Sequence, residues 1–378
     1  MAAVFWFSLF LIVYPYAVYP LLLALWGALR ARPVARSPIE PTVSVLIPAY
    51  NEADVIAATL AAMLAQDYPK DRLQILVVSD CSDDGTDDIV RSFADRGVEL
   101  LRQTERGGKA LGLNAAVKRA RGEIVVFCDA NARFAPDAVR SLVQNFADPS
   151  VGYVTGTLTV AASEGGVASG NGNAYLRFEE SLRAAETRVG SVIGVNGGCD
   201  AIRRELYSDI PKELITDFVL PLRVIAAGRR VVFDPQAASL EDGNEELQSE
   251  FSMRVRVALR ALQGLVHMRR LLNPLRHPAA AFTIVSHKVV RYLAFVFLAT
   301  ALLSNLVLAV SSPVYRVLLL LHLGCYALAA CGLLGVGRRL GIVAVAPAYL
   351  LMSYWAFAVA SWRFVRGQTM ATWKPRAG

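Results

Sequence analysis

Short runs of consecutive apolar, mostly β-branched residues recur through the first half of the chain, each closed by a polar turn and followed by helical periodicity. Val43–Ile47 runs into Pro48–Glu52, Ile75–Val78 into Ser79–Thr86, and Ile124–Cys128 into Asp129–Asn131. Unbroken apolar runs of this length read as strands buried on both faces, and the strand, turn and helix rhythm is that of a parallel sheet covered by helices. Ligands of such sheets bind outside the carboxyl ends of the strands. All three runs end in acidic or amide-tipped clusters, so the fold should gather those clusters at one crevice. A crevice lined by carboxylates holds a metal or a polar ligand.

A second pattern lies at the two ends. Val4 to Leu29 is an almost uncharged run followed by Arg30, Arg32 and Arg36, and Leu293–Val310, Val314–Val336 and Gly341–Trp362 are three further apolar stretches of about spanning length. The hydrophobic content of 54% is too high for an ordinary soluble protein and is concentrated in these stretches. The first run is too long for a cleaved signal peptide, and its basic flank places the following domain in the cytoplasm. Three full C-terminal crossings would put the tail opposite that domain, whereas Arg338, Arg339, Arg363, Arg366, Lys374 and Arg376 argue for the same side. Either one stretch is interfacial or re-entrant, or the tail departs from the charge rule. The division expected is 1–36 transmembrane helix and basic flank, 37–250 cytoplasmic α/β domain, 251–280 amphipathic interfacial helices, and 281–378 C-terminal transmembrane region and tail, in a protein integral to the cell (inner) membrane.

The formal net charge of +7 does not indicate a nucleic-acid partner, because the basic residues flank apolar segments; anionic lipid and a nucleoside diphosphate are the simpler partners. Cys81, Cys128, Cys199, Cys325 and Cys331 and the four histidines lack metal-ligand spacing, which argues against zinc. Ser163 to Asn173, rich in Gly, Ser and Asn, reads as a loop near the site.

The order Pro48-Ala49-Tyr50-Asn51-Glu52, then Asp80, Ser82 and Asp84 to Thr86, then Gly107-Gly108-Lys109 with Asn114, then Asp129-Ala130-Asn131, resembles the nucleotide-sugar half of the family 2 glycosyltransferases. The likeness continues through Asn196–Arg204, Thr216–Arg223 and Gly367–Trp373, and so covers nearly the whole chain in order; a series of motifs is far more specific than any one. It implies an α/β GT-A fold, Rossmann-like with a mostly parallel sheet, fused to transmembrane and interfacial α-helices as in the cellulose, chitin and hyaluronan synthase group. The implied activity is inverting transfer of a sugar from a nucleotide-sugar donor, UDP-linked, to a growing polysaccharide or membrane-associated acceptor. Single-sugar transfer to a lipid-linked acceptor and a catalytically silent nucleotide-binding scaffold are the alternatives.

The resemblance assigns Ala49, Glu52 and Asp80 to the nucleoside, while Asp83 reads as a helix cap or a solvated group. Lys109 and Asn114 open a helix after two glycines, where amides and one ammonium can face phosphate. Asp129 and Asn131 occupy the places of the family's metal-holding Asp-x-Asp and would bind Mg²⁺ or Mn²⁺ with one charge fewer. Gly197 and Gly198 fall on the acceptor side. Asp217, after a helical stretch at Lys212–Ile215 and at the head of a helix Phe218–Ala227, is the expected base, since a helix N-terminus favours the ionised carboxylate. Phe251–Leu272 has an apolar face and a stripe carrying Arg256 and Arg260, which could meet a diphosphate; the Gln-x-x-Arg-Trp of processive members is not matched.

Overall fold

The computed structural model describes residues 1–161, 167–242, 247–334 and 342–370. Its centre is an eight-stranded sheet. In chain order the strands are β1 (Val43–Ala49), β2 (Leu73–Ser79), β3 (Val98–Arg102), β4 (Ile124–Cys128), β5 (Arg133–Phe134), β6 (Val151–Ala161), β7 (Cys199–Arg203) and β8 (Arg230–Asp242). They lie in the order β3-β2-β1-β4-β7-β6-β8-β5. The first half, β3 to β4, is parallel throughout. Antiparallel β7 then separates β4 from β6, β8 runs parallel to β6, and short β5 closes the edge antiparallel. The expected α/β GT-A arrangement is present, with its parallel character concentrated on one side.

Both faces of the sheet are covered, which is why the strand sequences do not alternate. Val45 and Ile47 pack with Ile56, Leu60 and Met63 of the helix Ala53–Leu64. Leu46 and Phe127 face the other way, against Leu113 and Ala116 of the helix Lys109–Val117 and Leu220 and Val224 of the helix Thr216–Ala226.

The apolar ends depart from the expected straight spans. Val4–Leu29 is two helices, Ala2–Val13 and Val18–Leu29, bent by 59°. Pro15 lies at the break and Pro20 just beyond it; neither has an N–H for the helical ladder, so one continuous helix is disfavoured there. Pro278–Tyr292 and Ala294–Ala309 form a second bent pair, at 58°, and Pro313–Leu333 is by itself long and apolar enough to cross a bilayer. If each pair counts as one span there are up to three among the described residues. Val314, Val317, Leu320 and Leu321 on Pro313–Leu333 are 57–70% exposed.

Charged residues buried within these helices join them to the sheet domain. Glu186 of the helix Val167–Val189 accepts from the Tyr19 hydroxyl at 2.7 Å and lies 2.7 Å from His287 Nδ1. Glu179, two turns earlier, pairs with Arg291 at 2.5 Å. The loop expected at Ser163–Asn173 is helical from Val167, and the remainder of it, at 163–166, lies outside the described residues, as does the tail from 371.

Candidate active site

The first two strand-end turns are laced together. Asn51, in the left-handed region at φ 53°, donates its amide nitrogen to Asp83 Oδ1 at 2.7 Å and accepts from the Asp83 N–H at 3.0 Å. The Glu52 N–H donates to Thr86 Oγ1 and the Ala53 N–H to Asp84 Oδ2, each at 2.9 Å. Partial burial pushes the Asp84 carboxyl up, but hydrogen bonds from the Thr86 hydroxyl and the Ala53 and Thr86 amides outweigh it and hold the group below the usual carboxylate range. Asp84 therefore accepts the first amides of both helices, at Ala53 and Thr86, while Asp83 pairs with Asn51.

Asp80, at the end of β2, is 2% exposed. Its N–H donates to the Ala49 carbonyl at 2.9 Å. Its carboxylate accepts from the Gly107 and Gly108 N–H groups at 2.7 and 2.9 Å and from Gln103 Nε2 at 2.8 Å. Asp80 thus shapes the Gly107-Gly108 turn that presents Lys109. Gly108, at φ 84°, caps the Lys109–Val117 helix in a conformation that L side chains rarely adopt. Beside it the Arg106 guanidinium lies 3.7 Å from the centre of the Tyr50 ring.

A second set of groups meets across the ends of β4, β7 and β8. The Lys109 ammonium donates to Asp129 Oδ1 at 2.6 Å and lies 3.7 Å from Asp217 Oδ2. Burial pulls its pKa down, but the Asp129 and Asp217 charges outweigh that and keep it above the ordinary lysine range. Asp217, in the first turn of Thr216–Ala226, accepts from the Thr216 hydroxyl at 2.8 Å. Gly197 and Gly198 form the floor. A Cβ on Gly197 would lie 2.4 Å from Asp217 Oδ2, and one on Gly198 would lie 2.8 Å from Glu241 Oε1 and 3.4 Å from Asp129 Oδ2. Only glycine lets the chain pass this close to three carboxylates. Behind the floor Asp200 accepts from the Tyr153 hydroxyl at 2.8 Å and the Gly197 N–H at 3.0 Å. Burial and the nearby Asp217 charge raise its pKa to about 7.

Two predicted donor contacts are corrected. Asn114 does not face the crevice: it is buried, accepts from the Tyr207 hydroxyl and the Ile210 N–H, and donates to the Ile210 carbonyl. With both ends of the amide engaged, it pins the 207–210 segment. Arg260 points its guanidinium at the carbonyls of Glu213 and Leu214, at 3.4 and 2.5 Å. Residues 212–214 are a turn rather than the expected helix, and Arg260 clamps it. The helix Leu247–His267 lays Val255, Ala258 and Leu259 against Ala356 and Ala360, and Ala261 and Leu265 against Phe218 and Leu222. Arg256 on that helix and Asn131 after β4 are each half-buried.

Glu241, Asp200 and Tyr153 were not singled out from the sequence. Asp200 carries the clearest signal, a lone carboxylate inside the apolar run Cys199-Asp200-Ala201-Ile202.

Residues 44–210 match the family model for glycosyl transferase family 2. Residues 44–210 thus form a family 2 glycosyltransferase domain. This glycosyltransferase is 27% identical over 377 residues to an N-acetylglucosaminyltransferase of Rhizobium meliloti (strain 1021), covering 89% of this chain and 85% of the relative. It is 31% identical over 229 residues to a probable glycosyltransferase of Bacillus subtilis (strain 168), covering 58% of this chain but only 54% of that relative's length. Among solved structures, a mannosyltransferase from Pyrobaculum calidifontis in complex with GDP-Man and Mn²⁺ superposes with a TM-score of 0.73 over 97% of this chain and 99% of that one. At 24% identity this likeness shows the GT-A fold.

The donor atoms suit a hard divalent cation, since Asp129, Glu241 and Asn131 offer oxygen. Among the described residues no three acidic, His or Cys side chains converge closely enough to cage a metal by themselves. Mg²⁺ and Mn²⁺ take one or two protein carboxylates and complete their shell with water and substrate phosphate. Lys109 holds Asp129 Oδ1, so a cation there competes with an ammonium.

Proposed function

We propose that this enzyme is a membrane-bound, inverting glycosyltransferase that moves a sugar from a UDP-linked donor to a hydroxyl of a growing saccharide or other membrane-associated acceptor, on the cytoplasmic side of the cell membrane. The observation that carries the reading is Asp217 facing Lys109 at 3.7 Å over a floor of two glycines. Asp217 supplies a base, and Lys109, drawn between Asp217 and Asp129, supplies a cation at the same crevice. The acceptor proton passes to Asp217 as the acceptor oxygen bonds the anomeric carbon, and the bond to the β-phosphate oxygen breaks on the opposite face. Lys109 meets the charge that builds on the departing diphosphate. Mg²⁺ or Mn²⁺, held by Asp129 with Asn131 and Glu241, would neutralise further diphosphate charge when bound. The nucleoside lies along Ala49, Glu52 and the turn that Asp80 builds at the ends of β1 and β2, with Gly197 and Gly198 beneath the acceptor.

The relative named as an N-acetylglucosaminyltransferase supports an N-acetylhexosamine donor, and the Mn²⁺ of the mannosyltransferase complex supports the metal. The apolar, outward-facing Pro313–Leu333 helix supports the membrane. The test is a panel of nucleotide sugars offered to the full chain in vesicles with Mg²⁺ or Mn²⁺, with products sized and their anomeric configuration read by NMR. Turnover of a UDP-sugar with inverted configuration is expected. No turnover of any donor, or retained configuration, overturns the reading; product length separates polymer growth from single transfer.

A further inference from the structure

A cavity of about 530 Å³ opens where the chain leaves its first apolar helix pair. Trp26, Ile193, Ile225 and the neighbouring Ala279 and Ala280 supply apolar walls, Arg30, Arg32 and Arg229 bring positive charge, and no acidic side chain lines it. Beneath it lies a largely buried ion pair, Arg230 with Asp148 at 3.7 Å. Arg230, 5% exposed, donates to the carbonyls of Arg32, Thr187 and Gly190, at 2.8, 2.8 and 3.0 Å. It thereby ties the exit of the Val18–Leu29 helix to the end of Val167–Val189 and the start of β8. Arg229 donates to the Pro149 carbonyl, whereas the exposed Arg30 and Arg32 side chains project with no hydrogen bond or ion pair among the described residues. The cavity is not the catalytic crevice. Ile225 lies eight residues beyond Asp217 on one helix, roughly 12 Å along its axis at 1.5 Å per residue.

Trp26 and Ala279 come from the two bent apolar pairs, so the cavity joins greasy walls to guanidinium groups where a bilayer's apolar core would give way to water. We infer that it binds the head of an anionic phospholipid, the phosphate against Arg30 and Arg32 and the acyl chains leaving past Trp26 and Ala279. Guanidinium groups match phosphate oxygens bidentately, and the apolar walls disfavour a water-soluble phosphate. The lipid would set the height and tilt of the catalytic domain over the membrane. This inference rests on the proposed membrane embedding.

The experiment is native mass spectrometry of the detergent-purified full chain titrated with phosphatidylglycerol or phosphatidylcholine, alongside flotation with neutral phosphatidylcholine vesicles. One phosphatidylglycerol should be retained with on the order of tenfold preference over phosphatidylcholine, and excess inorganic phosphate should not displace it. The double variant Arg30→Gln with Arg32→Gln should lose the preference. Ala280→Trp, which fills the cavity and leaves the arginines in place, should lose it too. Equal retention of the two lipids, displacement by phosphate, or wild-type retention by either variant overturns the site. Failure to float with neutral vesicles overturns the membrane reading instead, so the two failures are distinguishable.

Discussion

The carboxylates at the ends of β1 and β2 and those at the ends of β4 and β8 are the same chemical groups on one sheet, yet they do opposite work. Asp80 and Asp84 accept backbone N–H groups and so build turns. Asp129 and Asp217 are met by a lysine ammonium and a threonine hydroxyl, and with Glu241 they crowd two glycines. A carboxylate engaged by amides is fixed and satisfied. One held near other carboxylates by a single ammonium keeps lone pairs for a proton or a cation. Backbone donors, more than residue type or motif position, separate the scaffold acids from the reactive ones here.

Asp217 is the acid whose loss should cost the most. Asp217→Asn keeps shape and the Thr216 contact but removes the proton acceptor, and turnover should fall on the order of 100-fold or more with donor affinity nearly unchanged. Thermal stability should hold, because one of several crowded negative charges is gone. Near-normal turnover, or a large drop in melting temperature, would place Asp217 among the scaffold acids.

Asp80→Ala should do the reverse and act first on stability. Leaving the Gly107 and Gly108 amides unpaired costs about 1–3 kcal/mol per buried group, so the melting midpoint should drop by several degrees, and turnover should fall as Lys109 loses its mount. If stability is untouched while nucleotide affinity collapses, Asp80 is a ligand group first and a turn builder second.

Asp200 sharpens the comparison from behind the floor. Its folded-state pKa, about 7, lies above the unfolded carboxylate value. The folded chain therefore holds a proton that the unfolded chain has lost, and the stability this brings is full at low pH and disappears between roughly pH 4 and pH 7. Asp200→Asn should flatten that part of the stability profile relative to wild type. Parallel profiles from pH 5 to pH 7 would mean that Asp200 is charged throughout.

How far the chain could be read follows the same division. Strands β1, β2 and β4 announce themselves as apolar runs because both faces are buried, and their turns lie next to them in sequence, so the placement of Asp80 and Asp129 at strand ends was legible; the place of Lys109 at a helix start followed from the two glycines before it. Glu241 was not: it ends a strand whose partner, β6, is some 80 residues away in the pairing Val160 to Glu241, and only that long-range pairing brings it to Gly198. The bend at Pro15 was written in the sequence and masked by the uniform apolarity around it. Arg260 was misread for another reason. Helical periodicity shows which residues share a face, and it is silent on whether that face meets a ligand or a neighbouring turn.

That last distinction carries the smallest predicted effect. As a clamp on the Glu213 and Leu214 carbonyls, Arg260 acts on Asp217 only through the turn that precedes it. Glutamine can still donate to one of those carbonyls. Arg260→Gln should therefore cost on the order of threefold in turnover, about 0.7 kcal/mol, with donor affinity unchanged and faster protease cleavage near 212–214. A guanidinium on the diphosphate would behave differently: its loss would remove charge stabilisation present mainly in the transition state and lower turnover by a hundredfold or so, with no change in cleavage. Measuring both quantities on one preparation decides whether Arg260 belongs with the groups that shape the crevice or with those that react in it.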